Sequence, residues 1–161
     1  SAGSTPLEMA TLAGLAAASR VQIEMVADVV CPYCYIGLDR LQRALAAMPD
    51  TAVDVTYTPF ILRRHLPKAG VPKLEVFRQQ FGDAAQGERV LAQVQATAAA
   101  DGLCFDVTDQ RAGNSEDAHR LLLWAGSHQL QLFEQMVRAY NCERGWLRDH
   151  AAEVLIVTRS T

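Results

Sequence analysis

The stretch VQIEMVADVVCPYCYIG, residues 21–37, decides the fold. Its apolar residues alternate with Gln22, Glu24 and Asp28 before an apolar Val29-Val30 pair, and this period of two predicts a strand. The segment Cys31-Pro32-Tyr33-Cys34 follows at once, where a helical pattern begins. We therefore expect a pair of cysteines at the junction between a strand and a helix.

The position of this pair at a helix start predicts redox chemistry. Unpaired backbone N–H groups and the helix dipole stabilise negative charge in the first turn, so a thiolate there has a lowered pKa and is a nucleophile near neutral pH. Pro32 fits such a start, since it has no N–H to leave unpaired. We predict Cys31 as the nucleophile and Cys34, one turn further on, as its disulfide partner.

Two other interpretations of the cysteine spacing are weaker. A Cys-x-x-Cys can be half of a zinc site, but zinc needs four ligands, and Cys104 and Cys142 are isolated in the sequence. A structural disulfide closing so short a loop would stabilise the fold very little. The redox interpretation is favoured, and no metal site is predicted.

Composition limits the classes of function. The chain has 161 residues, a net charge of -3 and four cysteines, which indicates an ordinary globular protein rather than a disulfide-rich scaffold. No basic stripe with interleaved aromatic residues predicts a nucleic-acid partner, and no apolar run is long enough to span a bilayer.

The periodicity changes along the chain from strand–helix–strand to helices alone. A second alternating run, Val53 to Thr58, predicts a parallel partner for the first strand in a right-handed βαβ unit, with the cysteines at the carboxyl end of the sheet. From Leu74 onward a period of 3.6 predicts an all-helical block, and its apolar stripes are expected to form core. Asn114 and Ser115 are N-cap candidates within it.

Several segments together resemble the DsbA-like thioredoxin family, in its FrnE-type branch of disulfide oxidoreductases. They are DVVCPYCYIG at 28–37, TPF at 58–60, FG at 81–82, AHRLLLWA at 118–125 and RAY at 138–140. The resemblance implies an α/β fold in which a thioredoxin-like βαβ unit carries an inserted all-helical domain. It also implies thiol–disulfide exchange on protein or small-molecule thiols, without a bound cofactor, and with glutathione as a candidate co-substrate.

The resemblance also divides the chain and places residues. It implies a thioredoxin-like part over 21–64, a helical insertion over 65–150 and a truncated or divergent tail over 151–161. The Ala-, Ser- and Thr-rich composition of residues 1–20 predicts a poorly ordered extension before them. Pro32 and Tyr33 would tune the redox potential, which the same pair in glutaredoxins sets at about −200 to −230 mV. Asn114 and His119 would line a substrate cleft, and a cytoplasmic location is typical of the branch.

The family pattern leaves alternatives open. Members of a sister branch are glutathione-dependent isomerases of hydroxychromene carboxylates and kappa-class glutathione transferases, in which a serine usually replaces the first cysteine; a glutathione-dependent activity is therefore the alternative. The family also returns to the sheet through a cis-proline loop, whereas the residues after Cys142 predict a sheet whose C-terminal half is incomplete. A non-catalytic remnant is then a third possibility.

One triplet and one cysteine carry further sequence-based expectations. The triplet Gly70-Val71-Pro72 is similar to a cis-proline loop, but the amphipathic pattern after it favours a proline at a helix start. Cys104, next to Phe105, is expected to be a buried thiol, because free cysteine is among the most buried residue types.

Overall fold

The computed structural model describes residues 20–106 and 110–142. The predicted tail over 151–161, the end of the helical insertion and all of the predicted extension except Arg20 lie outside these ranges. Strand β1 (Val21–Ala27), helix α1 (Pro32–Ala46) and strand β2 (Val53–Pro59) form a βαβ unit. The two strands are parallel and in register from Val21 opposite Val53 to Ala27 opposite Pro59, as predicted.

The regular elements in the remainder of the described chain are helices apart from two short strands. Its elements are β3 (Val71–Pro72), α2 (Lys73–Gln80), α3 (Ala84–Ala100), β4 (Arg111–Ala112), α4 (Glu116–Trp124), a 3₁₀ turn (Gly126–His128) and α5 (Gln129–Cys142). Strands β3 and β4 pair antiparallel. The change of period seen in the sequence therefore marks the change from sheet to helices.

One hydrophobic core joins the βαβ unit to the helices α4 and α5. The predicted stripe of α5 is buried throughout, and the ring of Phe133 lies 4.9 Å from the ring of Tyr57 on β2. The buried members of this core are Ala27, Val29, Val30, Tyr35, Leu38, Tyr57, Ala118, Leu122, Leu132, Phe133, Met136, Val137 and Tyr140. The core thus holds the segment just before the cysteines against the helical block.

Helices α2 and α3 approach each other closely at Gly87 of α3. A Cβ atom on Gly87 would lie 2.8 Å from the backbone of Phe77 and Arg78, closer than van der Waals contact permits. Helix α3 begins beside Asp83, whose carboxylate accepts a hydrogen bond from the N–H of Ala85 at 2.8 Å. It ends before Gly102, which has a φ of 75° and so adopts a conformation that favours glycine.

The structure tests three local predictions, for Pro72, Phe81 and Cys104. Pro72 directly precedes α2, and none of the described peptide bonds is cis, so the triplet ends in a proline at a helix start. Phe81, which the period of 3.6 after Leu74 places on the same face as Phe77, keeps that neighbour, with ring centres 6.0 Å apart, but its side chain is 37% exposed just past the end of α2. Cys104 is exposed rather than buried, because it lies in the loop after α3.

Candidate dithiol site

Cys31 is the residue at which the backbone turns from extended into helix. Its φ of −89° and ψ of 116° are extended, Pro32 is the first helical residue, and no side chain caps the helix. The carbonyl of Cys31 accepts hydrogen bonds from the N–H groups of Cys34 at 3.1 Å and Tyr35 at 3.3 Å. Cys31 and Cys34 are both free thiols and both partly buried.

The two thiols have opposite acidities. A hydrogen bond from Cys34 to the Cys31 sulfur lowers the pKa of Cys31 to about 6, helped by the N–H groups of Cys34 and Tyr33 and opposed by burial and the charge of Asp28. The same hydrogen bond, together with burial and the charge of Cys31, raises the pKa of Cys34 above its usual range. The arrangement therefore stabilises one thiolate, on Cys31, and keeps the proton on Cys34.

The two residues between the cysteines face opposite environments. Pro32 is buried and fixes the first turn of α1, while Tyr33 is 55% exposed. Phe60 and Leu62, directly after β2, are also exposed apolar side chains. Because Phe60 N–H donates to the carbonyl of Ala27 at 3.0 Å, this segment lies at the same end of the sheet as the cysteines.

A buried polar cluster lies beneath the cysteine segment. Asp28 is 1% exposed and accepts hydrogen bonds from the N–H groups of Val30 at 3.3 Å and Leu62 at 2.6 Å. Nε2 of His119 lies 3.2 Å from the Asp28 carboxylate, and Nδ1 of the same ring is hydrogen-bonded to the hydroxyl of Tyr57. We call Asp28, His119 and Tyr57 the polar cluster.

The polar cluster has two proton arrangements that satisfy every member. In one, neutral His119 donates from Nε2 to Asp28 and accepts the Tyr57 proton at Nδ1. In the other, an imidazolium donates from both nitrogens, and Tyr57 donates to the carbonyl of Ala27 at 3.3 Å. Burial and the charge of Asp28 raise the pKa of Tyr57 above its usual range, so its hydroxyl keeps its proton.

His119 therefore lies in the core and not at the wall of a cleft. Its exposed fraction is 3%, and both ring nitrogens have partners within the protein. The expectation of a cleft position is corrected by this burial, since α4 directs the ring inward toward Asp28. Asn114 is half-buried and lies one residue before Ser115, the N-cap residue of α4, whose own side chain makes no capping hydrogen bond. Its side chain accepts from the N–H of Glu116 at 2.8 Å and donates to the carbonyl of Arg64 at 3.0 Å.

The sequence does not predict the role of Asp28. The alternation of the first strand predicts Asp28 as one of its polar residues, which would leave the carboxylate in solvent. Strand β1 ends at Ala27, so the alternation no longer applies at the next residue. The available signal was the position of an acid between apolar residues, three before Cys31.

Lys73 is a second buried charge that the sequence did not reveal. It starts α2, is almost fully buried, and donates from Nζ to Oε1 of Gln110 at 2.8 Å. Nζ lies 4.8 Å from the ring centre of Phe105 and 4.7 Å from that of Tyr140. Burial and, less strongly, the charge of Arg63 lower the pKa of Lys73 to about 7, while the charge of Cys31 opposes that change.

Two features are absent from the described ranges, residues 20–106 and 110–142. No three His, Cys, Asp or Glu side chains gather there in a way that could hold a metal ion. Within the same ranges, no helix has the length and apolarity needed to cross a membrane.

A strand leading into a helix that starts at Cys-Pro-Tyr-Cys, above a buried acid, defines a thioredoxin-like class of protein. The family model of the DSBA-like thioredoxin domain matches residues 22–158, and the chain belongs to this family. Membership of the FrnE-type branch stays a prediction.

A solved structure supports the same assignment. It is that of a "probable DsbA oxidoreductase" from Streptomyces coelicolor, to which the chain is similar with 28% identity and a TM-score of 0.73. The match covers 88% of this chain and 63% of that one, so the chain spans less than two thirds of that protein. No curated protein matches the chain.

Proposed function

We propose that the protein is a thiol–disulfide oxidoreductase in which Cys31 attacks and Cys34 resolves. The observation that carries this proposal is the unequal acidity of two adjacent thiols at one helix start. A pKa of about 6 makes Cys31 largely thiolate at neutral pH, whereas Cys34 stays protonated until it is needed.

The reaction proceeds in two exchanges. The Cys31 thiolate attacks one sulfur of a substrate disulfide, forming a mixed disulfide and releasing the first substrate thiolate. Cys34 then loses its proton and attacks the Cys31 sulfur, which releases the second substrate thiolate and leaves a Cys31–Cys34 disulfide. Two electrons pass from the dithiol to the substrate, and the reverse sequence oxidises a substrate dithiol.

The geometry supplies a reason for the order of these steps. The main causes of the raised pKa of Cys34 include its hydrogen bond to Cys31 and the negative charge there. Both disappear when the Cys31 sulfur becomes part of a neutral mixed disulfide. The pKa of Cys34 then falls, so Cys34 becomes a nucleophile at the stage at which it must attack.

Exposed apolar side chains support a peptide-containing substrate. Tyr33, Phe60 and Leu62 present apolar surface at the cysteine end of the sheet, where a polypeptide beside its disulfide would contact them. Protein disulfides are therefore our first proposed substrates, and small-molecule disulfides such as oxidised glutathione our second.

The deciding experiment traps the mixed disulfide. A Cys34→Ala variant is incubated with a disulfide-bonded protein and with oxidised glutathione, and adducts are located by peptide mass spectrometry. We expect stable adducts on Cys31, rapid turnover without adduct in the parent protein, and no adduct at that position in the matched variant Cys31→Ser.

Failure to trap an adduct while Cys31 remains open to alkylation would refute the proposal and favour a non-catalytic chain. Glutathione-dependent conversion of a substrate that contains no disulfide would instead support the transferase or isomerase alternative.

A further inference from the structure

The fold brings together two cysteines that the sequence separates by 38 positions. Cys104 lies in the loop after α3, and Cys142 is the last residue of α5. A backbone hydrogen bond of 2.8 Å from the N–H of Asp106 to the carbonyl of Asn141 holds the loop against the end of that helix.

The contacts of these two cysteines are reciprocal. The Cys142 thiol donates to the carbonyl of Cys104 at 3.0 Å, and the Cys104 thiol reaches the carbonyl of Cys142 at 3.9 Å. Each sulfur therefore lies at the backbone of the other residue. The two thiols also lie within hydrogen-bonding reach of each other, so the side chains that a disulfide would join are already neighbours.

Cys104 and Cys142 differ in their exposure to solvent, and this difference indicates which thiol reacts first. Cys104 is exposed, whereas Cys142 is half-buried. The Cys142 proton goes to the carbonyl of Cys104, so the Tyr35 hydroxyl, 3.4 Å away, donates to the Cys142 sulfur. Burial raises the pKa of Cys142 to about 11, against the hydrogen bond from Tyr35, which lowers it. Because Cys104 is the exposed thiol of the two, an incoming reagent meets Cys104 first.

We propose that Cys104 and Cys142 are a second redox-active dithiol, which closes to an intramolecular disulfide when the protein meets a low-molecular-weight disulfide such as oxidised glutathione. The Cys104 thiolate attacks one glutathione sulfur, forming a mixed disulfide and releasing one glutathione thiolate. Cys142 loses its proton and attacks the Cys104 sulfur, which releases the second glutathione. Two protein thiols are oxidised and one glutathione disulfide is reduced to two thiols.

The closed pair changes contacts beside the first cysteine pair. Oxidation removes the Cys142 proton and with it the hydrogen bond to the carbonyl of Cys104. It also alters the sulfur that accepts from Tyr35, and Tyr35 is the residue directly after Cys34 in α1. The second pair is thus connected to the active-site helix by one side chain, while its chemistry is independent of Cys31.

The test uses the full chain carrying Cys31→Ser and Cys34→Ser, so that only the second pair can react. After incubation with oxidised glutathione, free thiols are blocked and the protein is digested with trypsin without reduction. We expect peptides 90–111 and 139–144 to be joined, with a loss of about 2 Da relative to their summed mass. The oxidised protein should unfold about 10 °C above the reduced one.

Controls separate the intramolecular bond from other products. In Cys104→Ser, an exposed position where the fold is retained, the joined peptides and the rise in unfolding temperature should both be lost. Glutathione adducts on Cys104 without the joined peptides would overturn the proposal. Dimers linked through Cys104, seen without reductant and absent with it, would overturn it as well.

Discussion

Replacing Cys34 with alanine should raise the pKa of Cys31 while leaving its backbone environment intact. The hydrogen bond from Cys34 is the largest cause that lowers this pKa, and alanine removes it. The N–H groups of residues 33 and 34 remain, so they still favour the thiolate. Burial and the charge of Asp28 then act against fewer opposing groups, and we expect the pKa to rise from about 6 to between about 7 and 8.

The size of the expected pKa change decides whether a rate at one pH or a full pH profile should be measured. At pH 7 a thiol with a pKa of about 6 is roughly 90% thiolate, and one with a pKa of about 8 is roughly 10% thiolate. The thiolate of the thiol with the higher pKa is intrinsically more nucleophilic. Its nucleophilicity rises about threefold for each unit by which the pKa rises, since the Brønsted slope is near 0.4 to 0.5. These effects largely cancel in a rate measured at pH 7, so a single-pH rate is uninformative.

The assay is therefore a pH profile of iodoacetamide alkylation at Cys31, followed by peptide mass spectrometry from pH 5 to 9. The parent should show a midpoint near 6 and the Cys34→Ala variant a midpoint about 1 to 2 pH units higher, with a plateau rate about 3 to 10 times greater. In Cys34→Ser the hydroxyl can still donate, so its midpoint should lie between the two. An alanine variant whose midpoint stays within about 0.3 pH units of the parent would refute the reasoning.

Three other substitutions test buried features against matched positions. Asp28→Asn places an amide where two N–H groups donate to a carboxylate, and it should lower the free energy of unfolding in urea by about 2–4 kcal/mol. The control Asp54→Asn removes an exposed ion pair and should lower it by only about 0–1 kcal/mol. Equal losses in the two variants would contradict the buried role of Asp28. Gly87→Ala should destabilise the fold by about 1–3 kcal/mol, because its Cβ would lie 2.8 Å from the backbone of α2. The control Gly37→Ala has open space around it and should stabilise the fold slightly. An unchanged free energy of unfolding in Gly87→Ala would show that the two helices move apart freely. The pKa of Lys73 in the folded protein is lowered to about 7, below its value in the unfolded chain. The stability of the parent relative to Lys73→Met should therefore fall as pH drops from about 10 to 7, by up to about 1.4 kcal/mol per pH unit. A stability difference that does not change with pH would contradict this prediction.

The sequence was sufficient for features that depend on neighbours along the chain. The parallel βαβ unit followed from two alternating runs with a helical run between them, and the apolar stripe of α5 was buried as its period indicated. The strand–Cys-Pro-Tyr-Cys–helix junction was predicted for the same reason. Local periodicity predicts these elements because it records which face of each element meets the core.

Features that depend on pairing across long separations were not predicted. Asp28 and His119 are 91 positions apart, and nothing near either residue indicates the partner. The reciprocal contacts of Cys104 and Cys142 arise because the end of α5 passes the loop after α3, which no periodicity encodes. A lone polar residue is ambiguous in sequence, since burial and partnership become visible only in three dimensions.

The polar cluster explains why the helical block and the βαβ unit must fold together for the cysteine site to exist. Asp28 lies in the turn that leads into α1, and its two oxygens bind the N–H groups of Val30 and Leu62, so it fixes the segment before Cys31 against the segment after β2. A carboxylate buried without a partner would be costly, and His119 from α4 supplies that partner. The helical block therefore contributes more than a cover over the site, because it supplies the hydrogen-bond partner of the buried acid that holds the cysteine turn in place.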